Sequence, residues 1–343
     1  MPTLPAKTTN DYGDLKRLVK AQGLLEPQTG YYVFKTVIAF LTLAASITIA
    51  LVASHPAIIL LDAVFLAFAS TQIALLGHDV GHRQAYRGRR MNAVGRYVFG
   101  NVFLGISHSW WNVKHNQHHA TPNHVDKDPD IQFPIIVFSV EQIASRAQWL
   151  RPVIAFQAFV FPLLLPLQAL NMRVNSVGHL IRGKASKPAL QGLLMAGHFA
   201  FYGALLVSLG GWAMPLAFFL VHQVTFGVYN SSVFASNHKG MPLLADGGRL
   251  DFLREQVITS RNVHGHRLTD FWYGGLNYQI EHHLFPTMPR NNLARAQAVV
   301  RAHCEKLSIP YHATGLFEAY REGFSHLHRT SAPLRDRAGT VAW

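Results

Sequence analysis

The sequence predicts an all-α, polytopic membrane protein with four transmembrane helices in two hairpins, interfacial helices and a histidine-rich cytosolic cap. Of its 343 residues, 49% are hydrophobic and only 14% are charged, whereas a soluble globular protein carries about a quarter charged residues. Four long apolar runs each approach the roughly 20 residues with which a helix crosses a bilayer. Histidine clusters and arginine-rich segments lie beside these runs. Together these features indicate one integral-membrane domain with its polar chemistry on one side of the bilayer.

The predicted parts follow one another without an internal repeat. In the polar N-terminal part, Leu15, Leu18 and Val19 form one apolar stripe, which predicts a short amphipathic helix lying on the membrane or on the domain. The parts are an N-terminal cytosolic arm (1–30), a first transmembrane hairpin (32–77), the first two histidine clusters (78–133), an interfacial or re-entrant segment (134–170), a second hairpin (189–235) and a cytosolic cap with the third histidine cluster (236–343).

The basic residues set the orientation of both hairpins. The links within the hairpins contain no Lys or Arg, whereas residues 83–90, after the first hairpin, contain four Arg. Because cytoplasmic loops carry the excess of Lys and Arg, we expect the histidine clusters in the cytosol. Residues 171–187 are also basic, so the chain before them must leave the cytosolic face and return to it. This parity predicts the interfacial or re-entrant segment. Asp62, in the second apolar run, is expected near the outer end of its helix, where it reaches water.

The charge and cysteine content narrow the partners and cofactors. The net charge is +13, which fits the basic cytosolic loops of a membrane protein and could also bind anionic lipid headgroups or an acidic electron carrier. We expect membrane lipid, and no nucleic acid, among the partners. The single cysteine, Cys304, excludes an intramolecular disulfide and a thiolate-ligated iron–sulfur cluster.

Three histidine clusters carry the chemistry of the sequence. The central one, His115-Asn116-Gln117-His118-His119, places three imidazoles at i, i+3 and i+4, which is one face of a helix. A first cluster has histidines at i and i+4, and a third repeats the central spacing with Gln in the first position. His238 ends the second hairpin as His78 ends the first. The predicted metal ligands are His78, His82, His115, His118, His119, His238, His282 and His283, and Gln279 could supply a ninth contact or hold a water.

The number of ligands predicts two metal ions. A catalytic zinc takes about three protein ligands, so eight imidazoles are too many for one. Mostly neutral ligands would leave a pair of iron ions with high positive charge, which favours reaction with O₂; manganese and two zinc ions remain alternatives. Asp79 and Glu281, inside the clusters, are expected to accept hydrogen bonds from ligand imidazoles. Asp126, Asp128 and Asp130 could do the same, or could form a cap and turn around Pro129.

We expect the histidines outside the clusters, and the aromatic residues beside them, not to bind the metal. We expect His198 and His222 to pack between the membrane helices. His108, His124, His264 and His266 lie near the clusters and could support the ligands without binding the metal. Trp110, Trp111, Phe271 and Trp272 lie beside the clusters, and ordinary packing or interface anchoring is the expected role of each.

The three clusters resemble the histidine boxes of membrane-bound fatty acid desaturases, and the resemblance covers roughly residues 30–310. It implies a di-iron site that uses O₂ and two electrons to remove two hydrogens from an acyl chain bound as a lipid, a CoA ester or a carrier-linked group. The Gln of Gln279-Ile280-Glu281-His282-His283 is similar to that of front-end desaturases. We expect no fused cytochrome domain. The electrons would therefore come from an external carrier, either a ferredoxin or a b-type cytochrome with its reductase.

Two other functions remain open at this stage. Related di-iron hydroxylases and ketolases carry similar boxes and would leave an oxygenated product. A histidine-rich metal transporter would place histidines or carboxylates along a path through the membrane, whereas the clusters here follow the apolar runs.

Overall fold

The described part of the chain folds mostly into helices. The computed structural model describes residues 10–245 and 250–338. In chain order the α-helices are α1 (Asp11–Ala21), α2 (Thr29–Val52), α3 (Pro56–Gly81), α4 (Arg89–Arg96), α5 (His108–Ala120), α6 (Arg151–Ala155), α7 (Gln157–Leu164), α8 (Gln168–Ile181), α9 (Pro188–Ser208), α10 (Ala213–His238), α11 (Phe252–Ile258), α12 (Arg267–Tyr273), α13 (Gln279–Leu284), α14 (Arg290–Lys306), α15 (Leu316–Thr330) and α16 (Ala332–Ala338). A π-helix covers Tyr97–Leu104, and short 3₁₀ helices cover Pro129–Ile131, Glu141–Ile143, Gln148–Leu150 and Leu165–Leu167. Two short strands, β1 (Asn262–Val263) and β2 (Ala313–Thr314), pair in parallel.

The helices divide into two compact units. The span unit comprises residues 26–113 and 165–232, and the histidine unit comprises the described residues among 10–25, 114–164 and 233–338. The core of the span unit is formed by apolar side chains from α2, α3, α9 and α10, including Ala50, Leu66, Leu205 and Phe218. The first hairpin breaks where the sequence predicts: Pro56 starts α3, and the His55 ring accepts a hydrogen bond from the Ala57 amide. Proline suits the first helical turn because the missing N–H has no partner there.

Among the residues that the structure describes, three helices are long and apolar enough to cross a membrane: α2, α3 and α9. The helical pair Gln148–Ala155 and Gln157–Ile181 is also apolar enough, but it bends by 89° at its junction. Both a broken span and a re-entrant loop have such a bend, so the interfacial or re-entrant assignment stays a prediction. The fourth predicted span lies in α10. This helix has 26 residues, which is long enough, but it is not as apolar as the segments above. Its lower apolarity follows from the polar residues in its C-terminal half, such as Asn230, Ser231 and Ser236.

Burial differs from two sequence expectations. Leu15 and Val19 of α1 are fully buried in the main core of the histidine unit, where Leu253 and Leu284 also pack. Leu18 is 49% exposed, so the predicted stripe is narrower than three residues, because only the i and i+4 positions face the core. Asp62 is 3% exposed. The expectation that it reaches water is wrong, since neighbouring helices cover that side of α3.

Candidate metal centre

Helix α5 presents the central histidine cluster as the i, i+3, i+4 spacing predicts. The Nε2 atoms of His115 and His119 lie 3.1 Å apart, and the Nε2 atom of His282 lies 3.1 Å from that of His119. His282 is carried by α13, whose six residues are all buried. The histidine unit therefore brings together imidazoles that are more than 160 residues apart in the sequence.

A second group in the same unit contains His118, His238 and His283. All three side chains are buried, and one ring nitrogen of each lies within 4.8 Å of the others. The Nε2 atoms of His118 and His238 are 3.3 Å apart. Two nitrogens bound at about 2.1 Å to one ion, at tetrahedral to octahedral angles, stand about 3.0–3.4 Å apart. The spacing therefore fits two ligands of a common ion.

The hydrogen bonds at the other ring nitrogens fix how each imidazole is protonated. His118 Nδ1 faces both oxygens of Asp128, at 3.0 and 3.1 Å, and His238 Nδ1 lies 3.0 Å from the carbonyl oxygen of Thr259. A carbonyl oxygen only accepts hydrogen bonds, so the Nδ1 atom of His238 must carry the proton. An ionised carboxylate also only accepts, so the Nδ1 atom of His118, which faces Asp128, must carry a proton as well. In their neutral forms, both rings then direct Nε2 lone pairs into the group.

Gln256 fixes the protonation of His283, the third imidazole, in the same way. Its side-chain nitrogen donates to the carbonyl oxygen of His119 at 3.2 Å, so its Oε1 atom must be the one that faces His283 Nδ1, at 2.9 Å. The Nδ1 atom of His283 therefore donates, and its Nε2 atom keeps a lone pair. One proton could be shared by only two of these nitrogens, whereas a metal ion can bind all three. The donor set therefore fits a metal ion.

The electrostatics keep the His238 imidazole neutral and the Asp128 carboxylate charged. Burial, followed by the neighbouring His118, lowers the pKa of His238 to about 3. Burial alone would raise the pKa of Asp128, but the hydrogen bond and charge of His118 hold it below its ordinary value. Neutral imidazole is the form that binds metal, and an ionised carboxylate behind it raises its basicity.

The three aspartates after α5 have different roles. Asp128 is fully buried and combines both sequence-based alternatives, because it accepts from His118 and also from the backbone amide of Asp130, at 2.8 Å, as the cap of the turn. Asp130 binds the ammonium groups of Lys114 through its side chain and Lys239 through its carbonyl oxygen. Asp126 is exposed.

Glu281 differs from its predicted role. Its carboxylate accepts hydrogen bonds from Asn262 Nδ2 and from the Tyr311 hydroxyl, both at 2.7 Å, and the residue is fully buried. The expectation that it orients a ligand imidazole is therefore wrong, because its side chain points from α13 toward β1 and the segment before β2. Burial raises the pKa of Glu281 to about 7.

Gln279 lies beside His238, but its amide nitrogen faces the ring. Its Nε2 atom is 3.0 Å from His238 Nε2, and its Oε1 atom accepts from Asn237 Nδ2 at 2.9 Å. Asn237 Nδ2 also donates to the Leu276 carbonyl oxygen, which identifies it as the nitrogen of its own amide. Gln279 is thus held with its N–H groups toward the histidines. This orientation suits holding a water better than ligating through oxygen.

The first histidine cluster lies at the end of α3, in the span unit. The rings of His78 and His82 are 4.7 Å apart between centroids, and His78 Nδ1 is 3.4 Å from Asp79 Oδ1. Trp111 packs edge-on against both rings, at 5.6 and 5.9 Å. A Cβ atom at Gly81 would lie 2.2 Å from the Trp111 ring, so glycine is needed for this packing. Trp111 is therefore a packing residue of the first cluster.

The remaining candidates keep structural roles in the part of the chain that the structure describes. His108 bonds Asn101, His124 bonds Glu255, His198 bonds the Val102 carbonyl, His222 bonds Tyr202 and Ser70, and His266 caps α12, while His264 is exposed. Trp110 packs against the span-unit core, and Phe271 and Trp272 are partly exposed.

Sequence reasoning missed three residues that hold the ligands: Asn123, Gln256 and Thr259. Asn123 and Asp128 lie within ten residues of the central cluster, so proximity along the chain could have indicated Asn123 as it did Asp128. Gln256 carries no local signal. Thr259 contributes its carbonyl oxygen, which any residue type could supply.

Comparison with known proteins agrees with the resemblance of the three boxes. The sequence profile of the family described as "Fatty acid desaturase" matches residues 29–315. The chain is 27% identical to a Delta(6)-fatty-acid desaturase of Caenorhabditis elegans, over 97% of this chain and 77% of that protein. It is 28% identical to a Delta(5) fatty acid desaturase of the same organism, over 96% of this chain and 76% of the relative. It is 32% identical to an acyl-lipid (9-3)-desaturase of Physcomitrium patens, over 88% of this chain but only 59% of the relative's length.

The profile match covers all three histidine clusters and four-fifths of the chain, and it confirms the resemblance predicted from the motifs. The three named relatives are all fatty acid desaturases. The chain therefore belongs to the fatty acid desaturase family, a membrane-bound family of oxidoreductases.

Proposed function

We propose that this protein is a membrane di-iron desaturase that inserts a double bond into a fatty acyl chain, using O₂ and electrons from an external carrier. The observation that carries the proposal is the group formed by His118, His238 and His283. Each of these imidazoles donates through Nδ1 to a fixed acceptor, so that three Nε2 lone pairs converge. The side-chain amide of Gln279 reaches one of these lone pairs, whereas a cation could bind all three at once.

The full ligand set is proposed from the structure and the box spacing together. The spacing of 3.1 Å among His115, His119 and His282 supports a second ion in the histidine unit. The assignment of the first cluster rests on its i, i+4 spacing and on the three-box pattern of the family. The proposed ligands are His78, His82, His115, His118, His119, His238, His282 and His283, with Gln279 holding a water.

The chemistry explains why redox metals are needed. A methylene C–H bond is not acidic, so a side-chain base cannot remove its hydrogen. When bound, two iron ions and O₂ would supply the oxidant. The reaction balances when the two hydrogens of the acyl chain, two electrons and two protons convert one O₂ into two waters. The protein's own groups hold the ligands, with Asp128 and Gln256 orienting the imidazoles and burial excluding bulk water.

The relatives indicate the class of substrate. Two of them are named for positions 5 and 6, and one is named an acyl-lipid desaturase. We propose a long acyl chain, bound as a lipid, a CoA ester or a carrier-linked group, with the new bond toward its carboxyl end. The electron donor would be a ferredoxin or a b-type cytochrome with its reductase, and the chain's net charge of +13 would suit an acidic ferredoxin.

The proposed topology keeps four spans and a cytosolic active site. Helices α2, α3 and α9 meet the length and apolarity of a span, and α10 would be the fourth despite its polar residues. The basic segments next to the histidine clusters support a cytosolic location.

Expression in a yeast that makes no polyunsaturated fatty acids tests the activity. Lipids from cells fed defined acyl chains are analysed by gas chromatography and mass spectrometry, and a new double bond is expected. A new hydroxyl or keto group instead would identify a hydroxylase or ketolase. His118→Ala should abolish the product and lower the bound iron, whereas His264→Ala, at an exposed histidine, should not. Wild-type product formation by the His118 variant would contradict the proposal.

A further inference from the structure

Asn123 has an unusual backbone conformation in the loop after α5. Its φ is +57°, a left-handed value that Asn tolerates better than most side chains. The residue is only 1% exposed. A buried polar side chain in a left-handed conformation is retained where its hydrogen bonds require it.

The backbone of Asn123 supports the first of two histidines. Its amide N–H donates to Asp128 Oδ2 at 2.8 Å, and Asp128 accepts from His118 Nδ1. The left-handed turn places this N–H against the carboxylate. The position of the carboxylate, and through it the orientation of His118, depends on the backbone at residue 123.

The side chain of Asn123 supports the second histidine. Its Nδ2 atom lies 3.1 Å from the carbonyl oxygen of His238 and 3.4 Å from that of Thr259. The Thr259 oxygen is the acceptor for His238 Nδ1. The amide of Asn123 therefore holds both the backbone of His238 and the group that orients its ring.

We propose that Asn123 is a positioning residue for one metal ion, joining His118 and His238 into a single binding group. The inference rests on the proposed metal centre and extends it. His118 and His238 are 120 residues apart in the chain. Asn123 hydrogen-bonds the acceptor of each ring, which is Asp128 for His118 and the Thr259 carbonyl oxygen for His238. A role in stabilising the loop alone would explain the bond from Asn123 to the Pro242 carbonyl oxygen. It would not explain why the other hydrogen bonds of Asn123 converge on the groups that support two imidazoles of one site.

The side-chain role can be tested separately from the backbone role. Asn123→Gly keeps the left-handed conformation at no steric cost and keeps the N–H that binds Asp128. It removes the amide that bonds the carbonyl oxygens of His238, Pro242 and Thr259. Asn123→Asp keeps the shape but turns an acceptor toward these carbonyl oxygens, so it should act in the same direction. Asn291→Gly, at an exposed asparagine, is the matched control.

The experiment is anaerobic Fe(II) titration of each full-length variant in detergent, with bound iron measured by mass spectrometry and the fold followed by circular dichroism. Two ions are expected in the wild type and the control. In the Gly and Asp variants, one ion should bind about 10–100-fold more weakly, while the other keeps its affinity. Unchanged affinity for both ions would overturn the role of Asn123, and so would loss of both together. A wild-type protein that binds no iron would instead refute the proposed function.

Discussion

Replacement of Asp128 by Asn is the sharpest test of how the protein holds its imidazoles. The carboxylate is fully buried and accepts from His118 Nδ1 and from the backbone N–H groups of Asn123 and Asp130, the last two at 2.8 Å. One backbone N–H binds each oxygen. When either oxygen becomes an NH₂ group, a donor meets a donor, and one buried bond is lost whichever way the amide turns.

The size of the effect follows from these bonds. A buried N–H left without a partner costs about 1–3 kcal/mol of folding stability, and a neutral acceptor binds His118 about half as strongly as a carboxylate. Loss of a partner behind a ligand histidine weakens metal binding about 10–100-fold, which corresponds to about 1.4–2.8 kcal/mol.

Iron stoichiometry, Fe(II) affinity and thermal unfolding of the purified full-length protein measure these effects. Asp126→Asn is the matched control, because Asp126 is exposed and lies two residues away; it should behave as the wild type. A folded Asp128→Asn protein with wild-type iron affinity would show that the orientation of His118 does not depend on the carboxylate.

The remaining predictions concern pH, packing and metal removal. Burial lowers the pKa of His326, whose Nε2–H donates to the Phe138 carbonyl oxygen at 2.8 Å. The unfolded chain, with a histidine pKa of about 6.5, binds the proton more readily, so this contribution to stability is present above that pH and is lost as the pH falls. His326→Gln should therefore reduce the fall in melting temperature between pH 7.5 and 5. Gly81→Ala should displace Trp111 and destabilise the protein by about 1–3 kcal/mol. A chelator should lower the melting temperature of the wild type, because ions that bind only the folded state stabilise it.

Each of these has a direct control. An exposed histidine, His264, should give the wild-type pH profile when changed to Gln; equal profiles for the His326 variant would exclude its titration as a cause. Gly197→Ala, in α9 with no atom near the added Cβ, should not destabilise, because alanine is the better helix former. A similar loss there would show that the effect at Gly81 does not come from Trp111. Chelation should lower the melting temperature of His118→Ala less than that of the wild type. An equal decrease in both would show that the chelator does not act through an ion bound by His118.

The sequence by itself determined the features that depend on local periodicity. The apolar runs over residues 32–53 and 57–77 correspond to α2 and α3, and the i, i+3, i+4 spacing put the central histidines on one helix. The ligand types and their number indicated metal chemistry before any distance was known. These features follow from the helical repeat and from side-chain chemistry, both of which are visible in a short stretch of chain.

Only the tertiary structure decided which distant groups meet. The spacing does not reveal that His118 lies against His238, that Gln256 orients His283, or that Glu281 turns away from the histidines toward Asn262 and Tyr311. These contacts join residues from about 20 to 120 positions apart, and helical periodicity says nothing about such pairs. They are set by how the helices and loops pack in the histidine unit, where each buried donor must find an acceptor.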